Sequence, residues 1–551
     1  MVKQNYLNLL KDTIQNNWDS KALCFFQGEE LTFGDLARHI ARFHLFFDQA
    51  GLKKGDKIAI CAKNTNRWAT AFLSVTTYGT VIVPILADFH PDSVNKLVDH
   101  SDSLILFTDR EIWDKLQPEL MPQIKAAFNT DDFSLLFSRD AELQSLYENL
   151  DKAFEEKYPQ GFGKDDVAFR VNNEDLDSLA VINYTSGTTS APKGVMLSYR
   201  NISASVEFAH SHIPCHKGDT IVSMLPMAHI YGLVFEFLYP ITGGVCVYFL
   251  GKSPAPSLLL KAMKRVKPYL VLTVPLVMEK IYKSSVKPAI SKPAIKVLSH
   301  IPLLNKVVFN KVRSSLDTAF GGNVQMYIMG GAALNPEVEK CFHKIGLHYT
   351  VGYGMTEAAP LLAYEAWNKY AVGSCGKKVD CAQVRIDSAD SEKIAGEIQA
   401  KGENICIGYY KNEEATAAAF TEDGFLKTGD LGVIDKQGNI FIKGRSKSMI
   451  LSANGQNIYP EELEAIINAQ PYVTESVVVD RAGKIVGLVY LDQDGIKKAG
   501  LDDEAVSEIP ENILAAANKK LPAYSRITKI ELVLEPFAKT PKMSIKRFLY
   551  K

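Results

Sequence analysis

The chain is 551 residues long, more than one hydrophobic core can serve, so it must divide into at least two packed units. Its 46% hydrophobic and 23% charged residues, with a mean hydropathy of -0.05, exclude both a bilayer-embedded chain and a disordered polar one. A net charge of -1 gives no reason to expect a nucleic acid as partner.

Met1 to Ser20 carries Lys3, Lys11, Asp12 and Asp19, with no unbroken apolar run and no small-residue cleavage site, so a cytoplasmic location is expected. Short β-branched runs at 57–61, 81–86, 103–108, 179–184, 220–225, 245–250 and 324–329 then alternate with helix-length segments. This is the pattern of βαβ units wound about largely parallel sheets. The apolar stretch Ile221 to Leu250 is broken by Pro226, His229, Glu236 and Pro240 and reads as buried core rather than a membrane span. His210, His212, Cys215 and His216 match no closed zinc site, and eight cysteines without a C-x-x-C pair read as reduced thiols. Between Lys252 and Arg313, thirteen Lys or Arg face the single acid Glu279, a local charge of +12. That segment is either a solvated helical face or an anion-attracting surface, and its Lys/Pro-rich part, Lys283 to Lys296, has the composition of a linker. After Asp430 the texture changes to a hairpin around Lys436–Asn439, a Gly/Asn-rich loop, and a helix opened by Pro460 with Glu461 and Glu462 in its first turn. The expected fold is α/β: a large N-terminal domain of parallel and mixed sheets with helices, 1–444, and a small α+β domain, 445–551.

The strongest motif is Tyr184-Thr185-Ser186-Gly187-Thr188-Thr189-Ser190-Ala-Pro-Lys193-Gly194, directly after the apolar run Leu179–Asn183. Its hydroxyls and backbone N–H groups suit a phosphate cradle, and Lys193 adds a point charge; the plain alternative is a Ser/Thr/Gly surface turn. It is not a Walker loop, and the only Gly-Lys-Ser, at 251–253, has Cys246 where the first glycine should stand. Five more segments follow: Leu225-Pro-Met-Ala-His229, Gly330-Gly-Ala-Ala-Leu334, Gly352-Tyr-Gly-Met-Thr356-Glu357, Thr428-Gly-Asp430 and Gly444-Arg445-Ser-Lys447.

In this order the six segments resemble the acyl-adenylate-forming superfamily of acyl-CoA synthetases, luciferases and peptide-synthetase adenylation domains, across nearly the whole chain. Ser190 departs from it, standing where the family's phosphate loop often has a glycine. The resemblance implies ATP and Mg2+, with Thr185, Ser186, Gly187, Thr188, Thr189 and Lys193 at the phosphates, Thr356 on the α-phosphate and Glu357 as the metal ligand. It places Gly331, Ala332, Gly352 and Tyr353 around the adenine, Asp430 on the ribose hydroxyls, Arg445 near the nucleotide and His229 against the acyl pocket. Taken alone, Thr356-Glu357 would read as a helix start and Asp430 as a turn residue. Lys447 falls at the family's hinge, about which a mobile small domain rotates between adenylate-forming and thioester-forming arrangements.

The family's catalytic lysine lies in a Thr-Pro-x-x-Lys-x-x-Arg pattern, and here Thr540-Pro541-Lys542-Met-Ser544-Ile-Lys546-Arg547 puts Ser544 in its place. In an extended segment positions i and i±2 share a face, so Lys542 or Lys546 is expected to supply the ammonium, with Lys542 preferred. Val274–Tyr282 and Asn518–Phe548 resemble long-chain fatty acyl-CoA synthetases, which implies a fatty acid and coenzyme A as substrates and an acyl tunnel for which Ile230–Phe249 has the composition. Three rival readings stand beside this: a ligase loading a carrier protein, a ligase for an aromatic, short-chain or amino acid, and a catalytically weakened binding or regulatory protein. The basic segment Lys252–Arg313 would meet an anionic membrane peripherally, on its cytoplasmic face. Oligomeric state is not legible.

Overall fold

Each predicted β-branched run forms a strand, because such side chains pack well on a pleated surface: Lys57–Cys61, Val81–Ile85, Ser103–Thr108, Leu179–Thr185, Thr220–Ser223, Cys246–Phe249 and Met326–Met329. The computed structural model describes residues 2–185, 192–251, 256–292, 302–451, 457–481, 483–522, 525–540 and 545–550.

Two large sheets carry these strands. One has seven, ordered Tyr349–Val351, Met326–Met329, Leu270–Thr273, Thr220–Ser223, Cys246–Phe249, Lys21–Phe25 and Glu30–Thr32, all parallel except the last. The other has eight; its middle five are parallel and its two margins antiparallel. The helix Asn66–Tyr78 is buried along almost its whole length and touches Lys57–Cys61 and Val81–Ile85 of one sheet and Lys21–Phe25 of the other, so it lies between them. The helix Phe33–Gln49 starts on a Thr32/Asp35 capping box and buries Leu36, Ile40, Phe43 and Phe46 in the same core. A four-stranded antiparallel sheet, Ala382–Asp387, Gly396–Gly402, Leu426–Ile434 and Ile440–Arg445, follows.

The C-terminal part is a three-stranded sheet, Val473–Arg481, Lys484–Leu491 and Lys529–Val533, with helices Pro460–Asn468 and Asp503–Asn518. It has a core of its own around Leu463, Ile467, Val489 and Ile513. The fold is the expected mixed α/β arrangement of a large unit and a small one. The linker expected at Lys283–Lys296 is corrected in part: Tyr282–Val286 and Lys287–Ile290 continue the helix Pro275–Ile281, since Tyr282 and Val286 bury against Phe342 and its neighbours, while 293–296 lie outside the described residues. Among the described residues no helix is long and apolar enough to cross a membrane.

Topology sets the site. The segments after Thr220–Ser223, Met326–Met329 and Tyr349–Val351 all leave the carboxyl ends of parallel strands, where open α/β sheets form their crevices, and Thr185 and Lys193 of the other sheet join them on the same cavity wall.

Candidate functional site

A cavity of about 4280 Å³ opens at those strand ends. Its walls include Thr185, Lys193, His229, Gly331, Ala332, Gly352, Tyr353, Thr356, Glu357, Asp430, Arg445 and Lys447, so the chain brings together every described residue of the expected nucleotide site. Ser186, Gly187, Thr188, Thr189 and Ser190 lie outside the described residues, as do Lys542 and Ser544.

The end expected to hold the ribose is built around Asp430, which faces Arg445 across the antiparallel pair Leu426–Ile434 and Ile440–Arg445. The Tyr353 hydroxyl donates to Asp430 Oδ2 at 2.7 Å, and Arg445 Nε sits 2.7 Å from Oδ1. Each carboxylate oxygen keeps a second lone pair for a ligand hydroxyl. Burial raises the Asp430 pKa, the Arg445 guanidinium pulls it back, and Tyr353 is raised well above the ordinary phenol value by burial and by the nearby carboxylate. The Thr428-Gly429-Asp430 turn is held from behind: Glu397 Oε1 accepts the Gly429 N–H at 2.9 Å, and Gly429 takes φ +73°, which suits glycine. Gly331 also has positive φ, +82°, and nothing lies within 4 Å of where a Cβ would point, so the backbone is open to a flat ring there.

The phosphate end joins three elements. Met355, not Thr356, precedes the short helical turn Thr356–Ala358 as its cap, so the Thr356 hydroxyl is not spent on a helix start. Glu357 Oε1 accepts the Tyr409 hydroxyl at 2.9 Å, and its Oε2 has no hydrogen-bond partner among the described residues. Lys193 Nζ lies 4.9 Å from the Tyr409 ring centroid and has no carboxylate partner among the described residues. A hard carboxylate oxygen and an uncommitted ammonium on one cavity wall fit a divalent ion and phosphate oxygens.

Buried polar side chains that sequence reasoning did not assign to the site hold the segment Ser223–His229. Glu236 Oε2 accepts from Ser223 Oγ at 3.0 Å, the Met224 N–H at 2.9 Å and the Leu225 N–H at 2.8 Å. Asn64 donates to the Leu225 carbonyl and accepts the Met227 N–H, while Asn183 donates to the Ala228 carbonyl. Glu236 is wholly buried in the π-helical stretch Gly232–Leu238, its Oε1 has no partner among the described residues, and burial pushes its pKa to about 8 against the pull of those three donors. One signal was visible beforehand: a lone acid within an apolar run must be paired, neutralised or functional.

The cavity wall also carries a set of apolar side chains, among them Phe235, Leu272, Ile281, Val286, Leu316 and Phe320. Only the start of Ile230–Phe249 takes part, through Ile230, Tyr231, Gly232 and Phe235; Phe237 to Phe249 pack largely into the main core. Part of that wall comes from the basic segment itself. Its helix Pro256–Val266 turns Lys261, Lys264 and Arg265 outward and buries Leu259, Ala262 and Met263, so both readings of that charge run omitted its inner face.

Comparison with known proteins identifies the family. The AMP-binding enzyme family matches residues 10–410, and the AMP-binding enzyme C-terminal domain matches 447–550. The chain belongs to the AMP-binding enzyme family. This AMP-binding enzyme is 26% identical to the long-chain-fatty-acid–CoA ligase FadD15 of Mycobacterium bovis, over 94% of this chain and 90% of that one. It is 24% identical to the chloroplastic long-chain-fatty-acid–[acyl-carrier-protein] ligase AEE15 of Arabidopsis thaliana, over 94% and 81%. Its fold matches that of ATP-bound MatB from Rhodopseudomonas palustris with a TM-score of 0.76 at 22% identity, over 98% and 97% of the two chains. It is an enzyme of the acyl-adenylate-forming ligase superfamily.

In this AMP-binding enzyme the C-terminal segment folds back onto the helix Pro460–Asn468. Arg547 binds Glu464 through both terminal nitrogens, one at 2.7 Å, and lies 3.6 Å from Glu461. Burial raises Glu464 to about 7, with Arg547 pulling it down. Gly444 is needed beside this clamp because a Cβ there would stand 2.8 Å from Glu461 Oε2. Ile545, Arg547 and Phe548 line the cavity, whereas Lys546 does not; its backbone N–H donates to the Ala538 carbonyl at 2.8 Å. Lys447 sits on an exposed single turn, Ser446–Ser448, between the strands Ile440–Arg445 and Ile450–Leu451.

Proposed function

We propose that this enzyme is an ATP-dependent fatty acid–CoA ligase, which forms acyl-AMP and pyrophosphate from a long-chain carboxylate and ATP and then transfers the acyl group to coenzyme A. The observation that carries the substrate class is the set of apolar side chains that share the cavity wall with His229, which would offer a chain of methylenes apolar surface. Its likeness to FadD15 supports the same class.

In this reading Lys193 and the Thr356 hydroxyl orient the phosphates, Asp430 holds the ribose between Tyr353 and Arg445, and the carboxylate enters past His229 in line with the α-phosphorus. Bound Mg2+ would neutralise phosphate charge from Glu357. Residues 445–551 act as a lid rotating about Lys447, and coenzyme A attacks after that rotation. Lys542 supplies the positive charge that Ser544 cannot. Lys542→Ala is expected to lower carboxylate-dependent pyrophosphate release about 10²-fold, and Lys546→Ala by less than about threefold, since Lys546 does not line the cavity. Full activity in both variants would remove this assignment.

A panel of carboxylates from acetate to oleate and aromatic acids, scored separately for pyrophosphate and for coenzyme A thioester, tests the function. Preference for short or aromatic acids would overturn the fatty-acid reading. The similarity to AEE15 supports one second reading, a carrier-protein acceptor; pyrophosphate release with oleate but no thioester with coenzyme A would favour it.

The enzyme is further proposed to be cytoplasmic and to meet anionic membranes through Lys252–Arg313, where Leu260, Leu276 and Val307 stand exposed among the basic side chains. Co-sedimentation with acidic vesicles that is lost at high salt is the expected result. Sedimentation indifferent to lipid charge and salt would sink the idea.

A further inference from the structure

Among the described residues, Tyr409 is the one whose side chain touches both charged groups of the phosphate end: its hydroxyl donates to Glu357 Oε1 at 2.9 Å, and its ring lies 4.9 Å beneath Lys193 Nζ. Neither contact is needed to hold Tyr409 itself. The two-residue strand Gly408–Tyr409 pairs antiparallel with Lys193–Ser198, matching Tyr409 with Val195, and the Tyr410 N–H donates to the Gly194 carbonyl at 2.8 Å. The Tyr409 N–H donates to Thr416 Oγ1 at 2.9 Å, and a Cβ on Gly408 would meet Thr416 at 2.6 Å, so only glycine lets the two segments approach this closely. The backbone is thus fixed from both sides, and the half-buried ring packs against the main core while it also reaches the cavity wall.

We propose that Tyr409 is a positioning residue that sets Lys193 and Glu357 in one arrangement, so that phosphate oxygens and a divalent ion are received together. Its two contacts act on different partners. The hydroxyl takes up one lone pair of Glu357 Oε1 and leaves Oε2 as the less committed oxygen for a divalent ion. The ring gives the Lys193 ammonium an electrostatically attractive surface that does not neutralise it, as a carboxylate would. This inference rests on the nucleotide-site reading above and adds a residue that no motif of the sequence had marked.

The test measures ATP binding to the full chain by calorimetry, without acid or coenzyme A, in Mg2+ and in EDTA. Tyr409→Phe keeps the ring and loses only the hydroxyl. It should lower the gain in ATP affinity given by Mg2+ about 3- to 10-fold and leave affinity in EDTA unchanged. Tyr409→Leu, which loses both contacts, should in addition weaken binding in EDTA about 2- to 5-fold. The Glu357→Gln and Glu357→Gln/Tyr409→Phe proteins should respond to Mg2+ alike, because the hydroxyl acts through Glu357. A Tyr409→Phe protein with the wild-type response to Mg2+ would overturn the proposal. So would one weakened equally in both buffers with a lowered Tm, which would mark a merely structural role. If wild-type protein binds no ATP, the nucleotide-site reading fails and the proposal with it, a result distinct from either.

Discussion

Replacing Asp430 by alanine lowers kcat/KM for ATP by about 10³-fold, measured as pyrophosphate release at saturating acid, because two hydrogen bonds to an ionised acceptor are lost together and each contributes about 1.5–3 kcal/mol. The Tyr353 hydroxyl and Arg445 Nε, both 2.7 Å from the carboxylate, also lose their acceptor. Arg445 is mostly exposed and turns to water, so the fold should survive: the turn is held independently by Glu397 and by Thr428, whose hydroxyl donates to the Ile398 carbonyl. Asp430→Asn keeps an acceptor oxygen but not the charge and should fall between, about 10- to 10²-fold down. A change under about threefold for the alanine variant would take Asp430 out of the nucleotide site.

The second large effect concerns stability and pH. Glu236→Leu leaves the N–H groups of Met224 and Leu225 without an acceptor in a buried segment, at about 1–3 kcal/mol each. At pH 5 to 6 it should therefore lower stability by about 2–5 kcal/mol. Wild-type stability itself falls as pH rises, because the Glu236 pKa is raised from its ordinary 4.5 to about 8 in the folded state. The folded protein then binds a proton that the unfolded chain has already released. The contribution of Glu236 is fully present below about pH 4.5 and is lost progressively until about pH 8, with an upper limit of about 5 kcal/mol for a shift of that size. The deficit of Glu236→Leu should shrink or reverse above pH 8, and Glu236→Gln should lose this part of the pH slope. Calorimetric Tm values from pH 5 to 9 check both. Parallel curves for wild type and Glu236→Gln would show that Glu236 is ionised throughout. Because Glu236 holds the segment bearing His229, the leucine variant should also raise KM for the acid more than KM for ATP.

Several features were written in the chain locally. The alternation of β-branched runs with helical segments reports on neighbours within a few residues and yielded the strands to within about two positions; the Pro460 helix start and the 436–439 hairpin were legible for the same reason. The order of six short motifs carried the family, since each keeps its glycines, hydroxyls and charges within a dozen residues. The basic run was legible only in part. A count of charges reports the outward face of a helix and is silent about its buried side, from which Leu259 reaches the cavity wall.

The sequence alone determined the α/β class, the superfamily and the set of residues proposed to meet the nucleotide. Tertiary structure alone decided which of them share a side chain between them. The contact of Tyr409 with Lys193 and Glu357, the grip of Asn64 on the His229 segment, and the clamp of Arg547 on Glu464 all join positions far apart in the chain. Such pairs follow from strand order and crossover connections, which no local period or turn preference encodes. The physical reason is range: backbone propensity acts over one turn or one strand, while burial and charge pairing act between whatever elements the sheets bring face to face.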